Sequence, residues 1–173
     1  MTYVSPFGDP DTDHDSGDDP LCISRAHVAE DVVETLAEFY VAARAAINDG
    51  AAQPAFFLSR HLAELSLKAL HPDYRNSKSL RTSHDLGKFL DELDSRGDEL
   101  LDANSERKHL VAFIRDLDRH DRRGDEGRYH LTKEGTPSLS TVCCADRKIL
   151  TQEVERLYQY VARRLRSHAA GNV

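Results

Sequence analysis

Tryptophan is absent from the 173-residue chain, and six tyrosines and six phenylalanines supply all of its aromatic surface. Runs of valine, isoleucine and threonine, which are typical of β-strands, are also scarce. Charged residues are abundant, at 31% of the chain. This composition favours helices over strands. It predicts an all-α protein of one domain, long enough to bury a real core.

Long apolar runs are also missing, since none approaches the roughly 20 residues that a membrane-spanning helix needs. The chain does not start with a basic stretch followed by an apolar one, which a secretory signal would require. We therefore expect no membrane association and a cytoplasmic location.

Cysteines number only three, Cys22, Cys143 and Cys144. This count is odd and too small for a disulfide framework, which agrees with a reducing compartment. The adjacent pair could form a redox or metal site. Neighbours on one helix, however, point about 100° apart, so we predict that Cys143 and Cys144 are buried thiols on a helix.

Acidic charge is concentrated at one end of the chain. Residues 1–21 contain six aspartates and no lysine or arginine, which predicts a disordered acidic tail. The remaining residues hold 24 acidic and 23 basic side chains. A folded domain over 22–170 is therefore close to neutral, and its charge does not exclude a phosphate-bearing partner.

Apolar residues recur at helical spacing along the rest of the chain. The pattern predicts four main helices and a shorter one, packed as a mostly antiparallel bundle. Ser83 is a plausible N-cap for the third helix, and Pro54 suits the first turn of the second. The predicted helices cover about 25–48, 54–70, 83–96, 105–119 and 140–167. Between them we expect a polar loop at 72–82, a helical turn at 98–102 and a loop at 120–138.

The second predicted helix carries charge on the stripe that should face the core. Arg60, Glu64 and Lys68 are spaced i, i+4 and i+8, so the glutamate can reach either cation along the helix. His61 lies on the same stripe. Two interpretations stay open: an exposed network on the shoulder of the helix, or a polar seam inside the bundle.

Several short motifs, in this order, resemble bacterial HEPN-like proteins. They are Arg60-His61-x-x-Glu64 with Lys68, then Ser83-His84-Asp85-Leu86, Asp118, and Arg128-Tyr129, and together they cover roughly 56–130. The resemblance implies an all-α bundle that pairs into a homodimer. Many members of this group are metal-independent ribonucleases, including toxins and anti-phage effectors. Others have lost catalysis and bind a protein or nucleotide partner.

The catalytic signature of the family is an arginine followed by four to six residues and a histidine, often with a polar residue directly after the arginine. Arg115 and His120 fit it, with Asp116 as the polar residue; Arg123 and His130 are a second match. The resemblance implies that Arg115 holds the scissile phosphate and that His120 acts as acid or base. Five residues on a helix are about 140° apart. The pair therefore converges only if His120 lies past the helix end or the site is shared across a dimer.

The same resemblance assigns a pocket around this pair. It would be shaped by Arg60, His61, Glu64, Lys68, Asp116, Asp118, Arg128, Tyr129 and His130. We further predict that the glycine-rich loop at 120–138 folds over the seam, with Arg128 meeting Glu64 or Asp118.

A metal-binding bundle is the rival class. Glu106 and His109 have the spacing of di-iron helices, but only this one pair has the required order. We therefore expect no metal or cofactor. The leading hypothesis is an RNA-directed, metal-independent ribonuclease-type effector, in a toxin or phage-defence context. The alternative is a catalytically inactive HEPN-like module that binds a protein or nucleotide.

Overall fold

Six helices make up the computed structural model, which describes residues 29–74, 76–98, 105–124, 126–129, 131–132, 135–140 and 142–170. Within these ranges there is no strand, and the only pairing of extended chain is an isolated bridge between Leu131 and Pro137. The all-α prediction is confirmed. The predicted tail at 1–21, the predicted start of the first helix at 25, residues 99–102 of the predicted helical turn, and His130 lie outside the described residues. The helices are α1 (Ala29–Asp49), α2 (Ala52–Leu70), α3 (Lys78–Arg81), α4 (Leu86–Ser95), α5 (Ser105–His120) and α6 (Arg147–Ala170).

Helix α2 occupies the centre of the fold, because it packs against α1, α4, α5 and α6. Its residues Leu62, Ala63 and Leu67 are completely buried. Burial of one leucine side chain stabilises a fold by about 1.5–3 kcal/mol. The core is completed by residues of the surrounding helices, among them Leu36, Phe89, Leu90, Leu110, Ile114, Val154 and Leu157. In the part of the chain described, no helix combines the length and the apolarity that crossing a membrane requires.

Two boundary predictions near α4 were wrong. Asp85, not Ser83, caps α4, and its Oδ1 accepts a hydrogen bond from the Lys88 backbone N at 2.8 Å. The predicted polar loop at 72–82 contains the short helix α3, whose N-cap Ser77 accepts from the Leu80 backbone N at 3.3 Å. Leu80 is buried against the core. Burial of Leu80 therefore stabilises α3. The polar residues around this one leucine gave no helical pattern, so the sequence predicted a loop.

Helix α6 begins at Arg147, later than the predicted start at 140. Asp146 caps it by accepting from the Ile149 backbone N at 2.9 Å, while Leu139 has a positive φ of 54° that a continuous helix does not allow. Cys143 and Cys144 consequently precede the helix and are exposed. The prediction of buried helical thiols was wrong, because it depended on a helix that starts further along the chain.

Candidate functional site

Three charged side chains of α2 lie in the interior of the protein. Arg60, Glu64 and Lys68 are 2%, 2% and 7% exposed. The two oxygens of Glu64 are divided between the cations, since Oε2 accepts from Arg60 Nη1 at 3.0 Å and Oε1 accepts from Lys68 Nζ at 2.7 Å. The structure therefore contains the polar seam inside the bundle, and the exposed-shoulder interpretation was wrong.

Loop residues complete this arrangement from outside α2. His84 Nδ1 lies 2.9 Å from Glu64 Oε1. Arg60 Nε donates to the carbonyl of Asp121 at 2.7 Å, and its Nη2 donates to the carbonyl of His84. The Arg60 guanidinium thus binds both the loop before α4 and the loop after α5 to α2. We call these five residues, Arg60, Glu64, Lys68, His84 and Asp121, the charge network.

The carboxylate of Glu64 is held in its ionised form. Burial alone raises its pKa, but the hydrogen bond and charge of Lys68, followed by those of His84, outweigh burial and leave the pKa of Glu64 below its ordinary value. Because Glu64 stays ionised at neutral pH, it has no proton to donate there. The network joins α2 to the loop before α4 and to the loop after α5.

His61 faces an apolar setting beside the network. Its ring meets the Phe39 ring edge-on at 4.7 Å and stacks on the Phe57 ring at 5.7 Å, measured between centroids. Its Nδ1 is buried and has no hydrogen-bond partner among the residues that the structure describes. Burial lowers the pKa of His61, only partly opposed by the negative charge of Glu64. The neutral form of the ring is thus favoured, packed against Phe39 and Phe57.

We expect His61 to make the protein less stable as the pH falls below the ordinary histidine pKa of 6.5. A base whose folded pKa is depressed stabilises the fold while neutral, and that stability is lost once the unfolded chain can bind the proton. Urea unfolding at about pH 7.5 and about pH 5.5 should show a smaller pH effect for His61→Phe than for wild type. The exposed His109→Gln is the matched control and should keep the wild-type pH effect. Identical pH effects in wild type and His61→Phe would contradict this account.

Asp118, predicted to belong to the pocket, serves as a second cap of α4. Its Oδ1 accepts from the Leu86 backbone N at 3.1 Å. Burial raises the pKa of Asp118, opposed by a hydrogen bond from the Gly87 backbone and reinforced by the charge of Asp85. A Cβ on Gly87 would lie 2.9 Å from Asp118 Oδ2. The Asp118 carboxylate thus lies at the N-terminus of α4, where the helix dipole favours negative charge.

The loop after α5 does cover the charge network, but not through Arg128. The Arg128 guanidinium lies over the Phe57 ring, 5.3 Å from its centroid, and Tyr129 is 62% exposed. Among the residues described, Arg128 forms no ion pair with Glu64 or Asp118, so that prediction was wrong. Instead, the Asp121 carbonyl accepts a hydrogen bond from Arg60, and Gly124, which has no side chain, packs against the Arg60 guanidinium. Contacts made by a backbone carbonyl and a glycine cannot be predicted from the charge pattern of a sequence.

Gly124→Ala should destabilise the fold more than the same change at Gly135. Both glycines have positive φ, 73° and 78°, but a Cβ on Gly124 would lie 2.9 Å from Arg60 Nη1, whereas no atom of the described residues lies within 4 Å of one on Gly135. The backbone conformation alone costs about 1–2 kcal/mol at either site. We expect a further loss of about 1–2 kcal/mol at Gly124, because the network must shift. Equal losses in urea unfolding would show that Gly124 does not support Arg60.

The predicted catalytic pair is not brought together within one chain. Arg115 Nη2 donates to Asp91 Oδ1 at 3.1 Å, and both side chains are more than half exposed. His120 is the last residue of α5, with Nε2 3.9 Å from Asp116 Oδ1. Since both residues are helical, they lie about 140° apart around the axis. Asp116 also accepts from Arg119. Arg123, of the second match, is exposed.

A cavity of about 730 Å³ lies where α1 ends, α2 begins, α5 ends and α6 begins. Residues 138–139 and 142–146 form its remaining wall. We call it the helix-end cavity, and its lining includes Ile47, Gly50, Phe56, Phe113, His120, Ser138, Cys143 and Arg147. The sequence did not reveal it, because three stretches that are distant in the chain build it together: the α1–α2 junction, the last turns of α5, and the residues from Ser138 into the first turns of α6. Of the predicted site residues at helix ends, His120, the last residue of α5, lies in the lining of this cavity.

Several hydrogen-bond donors line the helix-end cavity. Helix α2 starts there at N-cap Ala51, with no side-chain cap and no acidic residue in its first turn, so its N-terminal N–H groups carry partial positive charge. The guanidinium of Arg147 occupies the space that a Cβ at Gly50 would need. Ser138 Oγ, also in the lining, is buried and has no hydrogen-bond partner in the described part of the chain. The cavity therefore offers apolar walls together with several donors.

In comparisons with known proteins, the chain matches no family model, no curated protein and no solved structure. The resemblance to HEPN-like proteins thus depends on the sequence motifs alone. Within the described ranges, no three histidine, cysteine, aspartate or glutamate side chains are grouped so that they could hold a metal ion.

Proposed function

We propose that this protein is a catalytically inactive HEPN-like module that binds a nucleotide in the helix-end cavity. The observation that carries the proposal is the separation of the two signature residues. Arg115 is paired with Asp91 on the surface, while His120 lines the cavity. A ribonuclease of this type needs its arginine and its histidine at the same phosphate. A single chain does not supply that arrangement.

The shape and chemistry of the cavity support a nucleotide as the ligand. A volume of about 730 Å³ lies within the range of about 300–1,000 Å³ that is typical of small-molecule sites. Phe56 and Phe113 provide aromatic surface for a base. Arg147 and the uncapped N-terminus of α2 provide donors for a phosphate.

Three acidic residues of the lining do not oppose this proposal strongly. Asp116 accepts from Arg119, Asp146 caps α6, and Glu153 Oε1 accepts from Arg156. Each carboxylate thus has a partner of its own, although Glu153 Oε2 is buried without a hydrogen-bond partner among the described residues. Among the described residues, Arg147 has no carboxylate partner, so its charge remains available to an anion.

Calorimetric titration with adenosine monophosphate tests the proposal. We expect wild type to bind and Arg147→Ala to bind at least about 10-fold more weakly, because a charge-assisted hydrogen bond contributes about 1.5–3 kcal/mol. Lys148→Ala is the matched control. It removes an exposed cation from the next position of α6, outside the cavity lining, and should bind like wild type.

Two results would count against nucleotide binding in this cavity. The first is the absence of any binding heat with the wild-type protein. The second is an equal loss of affinity in Lys148→Ala and Arg147→Ala, which would indicate general attraction to a basic surface rather than a site.

The ribonuclease-type effector, acting in a toxin or phage-defence context, is the second candidate. It is favoured by the position of His120, whose side chain is 20% exposed beside Asp116 in the lining of the cavity. An imidazole next to a carboxylate is a group that can transfer a proton during phosphodiester cleavage. In a homodimer, the exposed Arg115 of a second copy would have to supply the phosphate contact.

A further inference from the structure

Two adjacent thiols lie in the wall of the helix-end cavity. The Sγ atoms of Cys143 and Cys144 are 2.9 Å apart, and both residues are exposed. They belong to a non-helical segment between the turn at Leu139 and the start of α6 at Arg147. Helical hydrogen bonds therefore do not fix their backbone, and the 100° separation of neighbours on a helix does not apply.

We propose that Cys143 and Cys144 are a modification site, at which a low-molecular-weight disulfide such as oxidised glutathione converts the two thiols reversibly into a vicinal disulfide. The geometry carries this inference, because the sulfur atoms already face each other and solvent reaches both. Nothing in the proposed nucleotide binding uses this chemistry.

The reaction balances without any further reagent. One protein thiolate attacks glutathione disulfide, forming a mixed disulfide and releasing one glutathione thiolate. The neighbouring protein thiolate then attacks the protein sulfur of that mixed disulfide and displaces the second glutathione. The protein loses two electrons and two thiol protons, and one glutathione disulfide becomes two glutathione thiols.

The product belongs to the easily reduced class of disulfides. Adjacent Cα atoms are about 3.8 Å apart, whereas ordinary disulfides span about 4.4–6.8 Å. The resulting strain, together with exposure, makes such a bond labile, as reversible regulatory disulfides are. Closing the ring also changes the backbone of a segment that lines the cavity. Any effect on ligand affinity rests on the proposed function, but formation of the bond does not.

Peptide mass mapping of the full chain after treatment with oxidised glutathione tests the proposal. Hydrogen bonding to Cys143 raises the pKa of the Cys144 thiol, so the reaction is best run at about pH 8.5. Trypsin places both cysteines on the peptide 134–147 and Cys22 on the peptide 1–25. We expect peptide 134–147 to become about 2 Da lighter and resistant to alkylation, and to recover both properties with dithiothreitol.

Single variants give the matched comparison. Cys143→Ser and Cys144→Ser should each carry one stable glutathione on peptide 134–147, because no neighbouring thiol is left to displace it. The proposal is overturned if wild-type peptide 134–147 also retains glutathione, or if its cysteines link two chains instead of each other. A titration with adenosine monophosphate before and after oxidation then reports separately on the cavity, so a failure of nucleotide binding leaves the mass result intact.

Discussion

Replacing Glu64 with alanine is expected to lower the free energy of unfolding by about 3–5 kcal/mol, measured by urea denaturation. The carboxylate joins Arg60 and Lys68, which are 2% and 7% exposed. Its removal leaves Lys68 buried without a carboxylate partner in the described part of the chain, and a buried unpaired charge is costly. The contacts of Lys68 with the rings of Tyr74 and Phe89 are too weak to replace the ion pair.

Two further variants separate the buried charge from simple loss of a side chain. Glu155→Ala makes the same chemical change at an exposed position of α6 and should alter stability by no more than about 0.5 kcal/mol. The double variant Glu64→Ala, Lys68→Met removes the stranded cation as well. It should be no less stable than Glu64→Ala alone. If Glu64→Ala costs no more than Glu155→Ala, the charge network does not stabilise the fold.

Changing Arg60 to lysine is expected to cost about 2–4 kcal/mol even though the positive charge is kept. Lysine lacks the planar fork that lets Arg60 donate to Glu64 and, at the same time, to the carbonyls of His84 and Asp121. The carbonyls of His84 and Asp121 would lose charge-assisted hydrogen bonds. The loops before α4 and after α5 should loosen, which hydrogen exchange at Gly124 would report.

Arg44→Lys is the appropriate control for this change. Arg44 is exposed on α1 and donates to Tyr40 Oη at 3.1 Å, so its replacement should cost no more than about 0.5 kcal/mol. A loss for Arg60→Lys as small as that of Arg44→Lys would mean that charge alone, and not the geometry of the guanidinium, holds the two loops on α2.

The sequence was most informative where the interactions are local. The spacing of Arg60, Glu64 and Lys68 on one helix predicted that both cations can reach one carboxylate, and the structure confirms it. The other partners, His84 and Asp121, lie 20 and 61 residues away from the groups they contact. No periodicity encodes such separations, because tertiary packing brings these loops to α2. The antiparallel HEPN-like arrangement and the homodimer remain predictions.

The errors occurred where backbone conformation overrides side-chain pattern. Apolar spacing predicted a helix from residue 140. Because Leu139 has a positive φ and Asp146 is the cap, α6 begins only at Arg147. That shift of seven residues exposes Cys143 and Cys144 and lets their segment line the helix-end cavity. The cavity itself could not be predicted, since it exists only between helix ends that are distant in the chain.

Incubation of RNA with the purified protein in EDTA is the most direct test of whether the protein cleaves RNA. Wild type is compared with Arg115→Ala and His120→Ala, and circular dichroism confirms that all three are folded. We predict that several RNAs remain intact with every protein, because Arg115 and His120 do not meet at one phosphate. EDTA-resistant cleavage by wild type that is lost in both variants would contradict this account and establish a ribonuclease.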